Sequence, residues 1–241
     1  DADSLGDSLN ATLGITPVYL GYNTGRHIST NGRELSEHLE KLCDAWPVPV
    51  KSVSLVGHSM GGLTIRSACW YGQEADAPWI ALLRRVACLG TPHHGAALEK
   101  AGSLFDRVMQ GVQYVDPLLL GKHRSVGIKD LRHGNLMDED GSKAGDNDEL
   151  PWDDTRRPVP LLEDVDYYFA AASVGRDNRD LKGQLLGDFL VRLGSATGAH
   201  RDDARHLPVP AEHCRIFHET SHLDLLSDPH VHEQIVNWFG V

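Results

Sequence analysis

Between Val50 and Trp70 the chain reads as a strand, a tight turn and a helix, and the turn is Gly57-His58-Ser59-Met60-Gly61. The run Val50 to Val56 is apolar enough for a buried parallel strand. Leu63 to Trp70 reads as the start of a helix that continues to about Tyr71. Strand, Gly-x-Ser-x-Gly and helix are the parts of a nucleophile elbow, in which a serine is held at the top of a sharp turn. Such a serine adopts a strained backbone angle, and glycines at Gly57 and Gly61 are expected to remove Cβ atoms that would collide there. The helix that follows aims its unpaired N–H groups and the positive end of its dipole toward Ser59.

This elbow, together with Leu89-Gly90-Thr91-Pro92-His93-His94-Gly95 downstream, resembles the α/β-hydrolase superfamily. Within it the likeness is to bacterial lipase- and esterase-like members, including those similar to GPI inositol-deacylases. It runs from about Gly14 to the C-terminus and is weakest between Gln110 and Pro160. The resemblance implies a mostly parallel sheet with helices on both faces and a cap insertion, and a serine hydrolase that cleaves carboxylic esters.

The rest of the chain is consistent with one α/β domain spanning residues 1–241. Leu5, Leu9 and Leu13 predict a short amphipathic helix, and Thr16 to Asn23 reads as a strand. Asn31 and Glu34 resemble a capping box opening a helix that Pro47 ends. Further strands are predicted at Val86–Leu89, Tyr167–Ala172 and Cys214–Phe217, with helices at 96–110 and from Asp228-Pro229 onward. Alternating β and α with short connections predicts a parallel sheet. Residues 110–160, where periodicity weakens, are read as a cap or lid. No internal repeat is present.

A serine hydroxyl needs a base, and the base an orienting acid. In the chain order of the superfamily, serine is followed by the acid and then by the histidine. His222 lies after the last predicted strand and before the last helix, which assigns it as the base over His218; His230 and His232 belong to the helix. Asp188, in Gly187-Asp188-Phe189-Leu190-Val191, resembles the family's Gly-Asp-Gly-Leu-Val segment, with Phe189 in place of the second glycine. Asp177 and Asp180 are its rivals. The N–H of Met60, next after the nucleophile, is the first oxyanion donor. In relatives the second comes from a His-Gly loop after an earlier strand, and none precedes Ser59 here. We therefore expect N-terminal strands of the fold to be absent from this chain and Asp1 not to be the natural start; failing that, the Asn23-Thr24-Gly25 loop is the nearest substitute.

His58, His93 and His94 are expected at the pocket rim. Paired imidazoles at His93 and His94 suit zinc, but neighbours on a loop rarely converge on one ion and no carboxylate is spaced to help. No metal and no cofactor is expected. With 23 Lys and Arg against 34 Asp and Glu, the net charge of −11 makes nucleic acid a poor partner. No stretch approaches the roughly 20 apolar residues of a membrane span, and no signal peptide is read. Soluble cytoplasmic and secreted locations are not distinguished, and neither is the oligomeric state. Cys43, Cys69, Cys88 and Cys214 are scattered, and burial as small thiols is expected for the last three. The substrate expected is a small-molecule, lipid or polyester ester. The alternatives are a non-catalytic binding protein of the same fold, or an acyltransferase using the same triad.

Overall fold

Apolar residues at consecutive positions need cover on both faces of a sheet, and the two central strands of this chain have it. The computed structural model describes residues 4–96, 125–143, 156–176 and 191–240. Four strands, β1 (Val53–His58), β2 (Leu83–Leu89), β3 (Asp166–Ser173) and β4 (Cys214–His218), form one parallel sheet in the order β1-β2-β3-β4. The pairing aligns His58 with Leu89, Leu89 with Ala170, and Ser173 with His218, so the C-terminal strand ends come together.

Alternation along β2 and β3 divides the core. Val86, Cys88, Tyr167 and Phe169 face helices α2 (Ile28–Ala45) and α3 (Met60–Glu74), meeting Leu35, Leu39 and Ile65. Ala87, Leu89, Tyr168 and Ala170 face the other way, toward α1 (Leu5–Leu13) and the C-terminal helix, where Leu9, Val231, Ile235 and Trp238 cover them. Full burial of a side chain such as Phe169 contributes about 2–3 kcal/mol. Trp79, wholly buried, also donates its indole N–H to Ser36 Oγ at 2.9 Å, which ties the β1–β2 crossover to α2. Cys69 and Cys88 are buried, and all four cysteines are free thiols.

A third cluster lies over the start of α3. Helix α4 (Val126–His133) and the segment after it bring Ile128, Leu131, Leu136 and Met137 onto Ile28, Met60 and Leu63. Two further helices are short, α5 (Asp138–Lys143) and α6 (Leu193–Ala196), and α7 (Pro229–Phe239) closes the chain with Pro229 in its first turn and Asp228 as its cap. Of the expected cap, only 125–143 and 156–160 are described. The helix expected over 96–110 lies outside the described residues but for Ala96.

Two local expectations are corrected. Thr16 to Asn23 forms no strand. A strand requires a paired edge, and β1 stands at the border of the described sheet with β2 its one partner. Val18, Tyr19 and Leu20 are accordingly exposed, Tyr19 at 74%. Helix α2 begins at Ile28 rather than at a capping box on Asn31, and its N-cap residue His27 offers no side-chain cap. The cap comes instead from α4. Asp130 Oδ2 accepts from the Ile28 N–H at 3.0 Å and meets His27 Nδ1 at 3.0 Å, while Asp130 Oδ1 accepts from Asn135 Nδ2.

Asp130 is 4% exposed, so its loss leaves the donors it serves unsatisfied. Asp130→Ala is expected to destabilise by about 2–3 kcal/mol in urea denaturation, well beyond the loss of an exposed helix cap. A change under 0.5 kcal/mol would remove this contact from the account.

Candidate functional site

At the end of β1 the backbone turns through a conformation that L-residues avoid. Ser59 has φ 54° and ψ −121°, the N-cap position of α3. Strain of this kind costs about 1–3 kcal/mol and persists where surrounding contacts over-determine it. Here the Ser59 N–H donates to Leu89 O at 2.8 Å, and the Ser59 carbonyl accepts from Gly62 N–H at 3.2 Å. Gly57 is needed for close approach: a Cβ there would lie 2.6 Å from both Gly61 C and Gly62 N. At Gly61 the expectation fails. A Cβ on Gly61 would meet nothing nearer than Tyr22 Oη at 3.8 Å, whereas one on Gly62 would lie 2.0 Å from Thr91 Oγ1. The second tight glycine of the elbow is therefore Gly62, because Thr91, beyond β2, packs on the helix at that point. Met60 opens α3, and N–H groups in a helix's first turn have no intrahelical acceptor.

His222 follows β4 and is 1% exposed. Three contacts set its position. The His58 ring, next to Ser59, places Nε2 2.9 Å from the His222 carbonyl, donating to it, and the two rings sit 4.6 Å apart. Gly90, at φ +58°, makes room for the imidazole, since a Cβ there would lie 3.0 Å from His222 Nδ1 and Cε1. Ser59 N–H binds the carbonyl of Leu89, the residue before Gly90, so serine and histidine border the same strand end. The third contact is a reciprocal pair: Ser221 N–H donates to Asp224 Oδ2 at 3.0 Å, and Asp224 N–H donates to Ser221 Oγ at 3.3 Å. Sequence reading passed over Asp224, although Ser221-x-x-Asp224 has the spacing of a capping box.

The structure thus sets His58, the residue before Ser59, against His222, with Met60 next after Ser59 at the start of α3. Asp188, with its rivals Asp177 and Asp180, lies outside the described residues. Val191, three positions on, is buried against Ala171 of β3. The Asn23–Gly25 loop has its Gly25 N–H committed to Asn23 Oδ1 at 2.9 Å. Tyr22, missed in the sequence, lies beside Gly61 of α3, and burial raises its phenol pKa.

His93 and His94 sit apart from this group. His93 is not at a rim: it is 2% exposed and stacked on Phe169 with ring centroids 4.3 Å apart. Burial first, then the neighbouring Arg66 and His94, holds its pKa well below the usual histidine value. His94 Nε2 donates to Gly198 O at 3.1 Å, and burial is the main cause that lowers its pKa to about 4. Among the described residues no group of three or more His, Cys, Asp and Glu could hold a metal, and no helix is long and apolar enough to cross a membrane.

A model of the PGAP1-like alpha/beta domain matches residues 4–140, more than half of the chain. The chain belongs to that family. It is accordingly a member of the α/β-hydrolase superfamily, and the parallel sheet with helices on both faces is that fold. Among solved structures it is similar to the mature form of Bacillus licheniformis lipase BlEst2, with 18% identity and a TM-score of 0.47 over 84% of this chain and 70% of that one. It covers 41% of the propeptide form of the same lipase. It is also similar to Staphylococcus hyicus lipase (12% identity, TM-score 0.39, 78% of this chain and 68% of that one) and to a thermophilic esterase (16%, 0.40, 93% and 75%). No curated protein sequence matches it significantly.

The elbow's glycines should separate cleanly on substitution. Gly57→Ala forces backbone apart and should cost about 3 kcal/mol or more, while Gly61→Ala, in a helix, should be neutral or stabilising by up to about 1 kcal/mol. Equal losses from the two in chemical denaturation would contradict the geometry.

His93 and His94 also set a pH dependence. Both are neutral when folded and would bind a proton more readily when unfolded. Stability is therefore fully present above the unfolded value of 6.5 and falls as pH drops toward the folded His94 value of about 4. His94→Gln should flatten part of that slope in urea titrations run across this window.

Proposed function

We propose that this chain is a serine hydrolase that cleaves carboxylic esters, of the esterase or lipase type. The observation that carries the reading is the strained Ser59 turn beside a buried His222. No other described serine has a positive φ, and the superfamily uses this turn to present a nucleophile.

Ser59 Oγ attacks the ester carbonyl while His222 takes the hydroxyl proton. The oxyanion is stabilised by the Met60 N–H, in the field of the α3 N-terminus. His222 then returns the proton to the departing alcohol, and the serine is left as an acyl ester. Water, activated by the same imidazole, attacks that ester and frees the acid. Asp188 orients the imidazole and stabilises its charged form. Support for Asp188 comes from its place between β3 and β4 in the chain and from the burial of Val191 against β3. The segment 125–143, lying on the start of α3, acts as part of a cap over the acyl side. Acyl, lipid or polyester esters are the substrate class.

A panel of p-nitrophenyl esters of increasing chain length tests this. The wild type should hydrolyse at least one member, and Ser59→Ala should abolish turnover with the fold retained. Asp188→Asn should lower kcat by roughly 10⁴, and His222→Ala by at least as much. Retained activity in Ser59→Ala refutes the reading. A loss confined to Asp177→Asn or Asp180→Asn moves the acid.

A further inference from the structure

The sheet runs β1-β2-β3-β4, so a base that follows β4 must cross two strand ends to meet a nucleophile that follows β1. The loop starts that crossing at Glu219, which holds φ 54°, a strained angle for a residue with a side chain. Its N–H donates to Gly175 O at 3.1 Å, and the Thr220 N–H donates to Ser173 O at 3.2 Å. At residue 220 the loop is therefore still tied to the end of β3. From β3 to β1 is two strand spacings, about 10 Å. Thr220 to His222 is two residues, which span about 7 Å at full extension. The backbone alone falls short of β1, and a side chain closes the distance.

That side chain is His58, the residue before Ser59. Its Nε2 donates to the His222 carbonyl at 2.9 Å. A carbonyl oxygen only accepts, so Nε2 carries the proton, and the bond is made by the neutral and the protonated ring alike. The His58 ring also lies 4.6 Å from the His222 ring, tilted by 50°. Ser221 and Asp224 brace the turn from within by their reciprocal bonds, but those bonds do not reach β1. The bond from His58 does, and it starts one residue from the strained serine.

We propose that His58 is a positioning residue: its Nε2–H on the His222 carbonyl holds the base loop across the strand ends and keeps the imidazole beside the Ser59 turn. The proposal rests on the reading of Ser59 as nucleophile and His222 as base. Without this bond the loop keeps its tie to β3 but loses the one to β1. A displacement of about 1 Å at a reacting group costs about 10²-fold in rate. Reach decides which side chains can replace the histidine. Glutamine can place its amide nitrogen where Nε2 stands, whereas asparagine ends one bond short.

The test compares His58→Asn with His58→Gln in the whole chain, on the p-nitrophenyl ester that the wild type turns over best. Fluorophosphonate titration counts working sites, so that kcat refers to folded enzyme. His58→Asn should lower kcat by about 10²-fold with KM within about threefold, and His58→Gln should recover most of that loss. Hydrogen exchange should follow the same order, with the amides of residues 219–226 losing protection in the asparagine variant and regaining it in the glutamine one. Should His58→Asn not fold, the wild type decides by ¹⁵N NMR, which should find a protected proton on His58 Nε2. Equal losses in the two variants, a loss carried in KM, unchanged exchange in the loop, or a neutral His58 protonated on Nδ1 overturns the proposal. A wild type that turns over no ester refutes the function proposed above, and the positioning role with it.

Discussion

The hydrogen bond from Ser59 N–H to Leu89 O fixes a residue in a backbone conformation it would not otherwise hold. Strand β1 reaches that point because β2 lies beside it in register, and α3 leaves because Gly57 and Gly62 let the helix approach strand and loop closely. The hydrophobic core supplies the rigidity. Ile65 on α3 packs with Val86, Cys88 and Phe169, so the helix cannot tilt to relieve the turn without opening the core.

The same strand end organises the histidine side. Gly90 follows Leu89 and leaves room for the His222 imidazole, while His58 grips the His222 backbone. These contacts join β1, β2 and the β4–α7 connection at one place. The parallel order makes this arrangement available, since every strand delivers its C-terminal loop to the same side. On the far side of the Gly90–Gly95 loop, the buried Arg66 of α3 and the buried His93 meet.

Much of this was legible where the signal is local. The elbow is written in five residues, the core strands in short apolar runs, and the place of His222 in the order of the elements. What was not legible depends on distant chain. The α2 cap comes from Asp130, about a hundred positions away, and no pattern around Asn31 reveals it. Thr16 to Asn23 has strand composition, but composition cannot supply a neighbouring edge. Gly61 and Gly62 look alike in sequence, and only the packing of Thr91 tells them apart. The burial of His93 follows from Phe169 and Arg66, which a loop reading of Pro92-His93-His94 does not contain. Ser221 and Asp224 are the opposite case, a local pattern present in the sequence and overlooked.

The account's central claim is that the turn at Ser59 presents an activated nucleophile. Treatment with a fluorophosphonate, followed by intact mass and peptide mapping, tests it most directly. One adduct per chain is predicted, on the peptide that contains Ser59. No adduct, or one mapped to another residue with Ser59 unmodified, would contradict it.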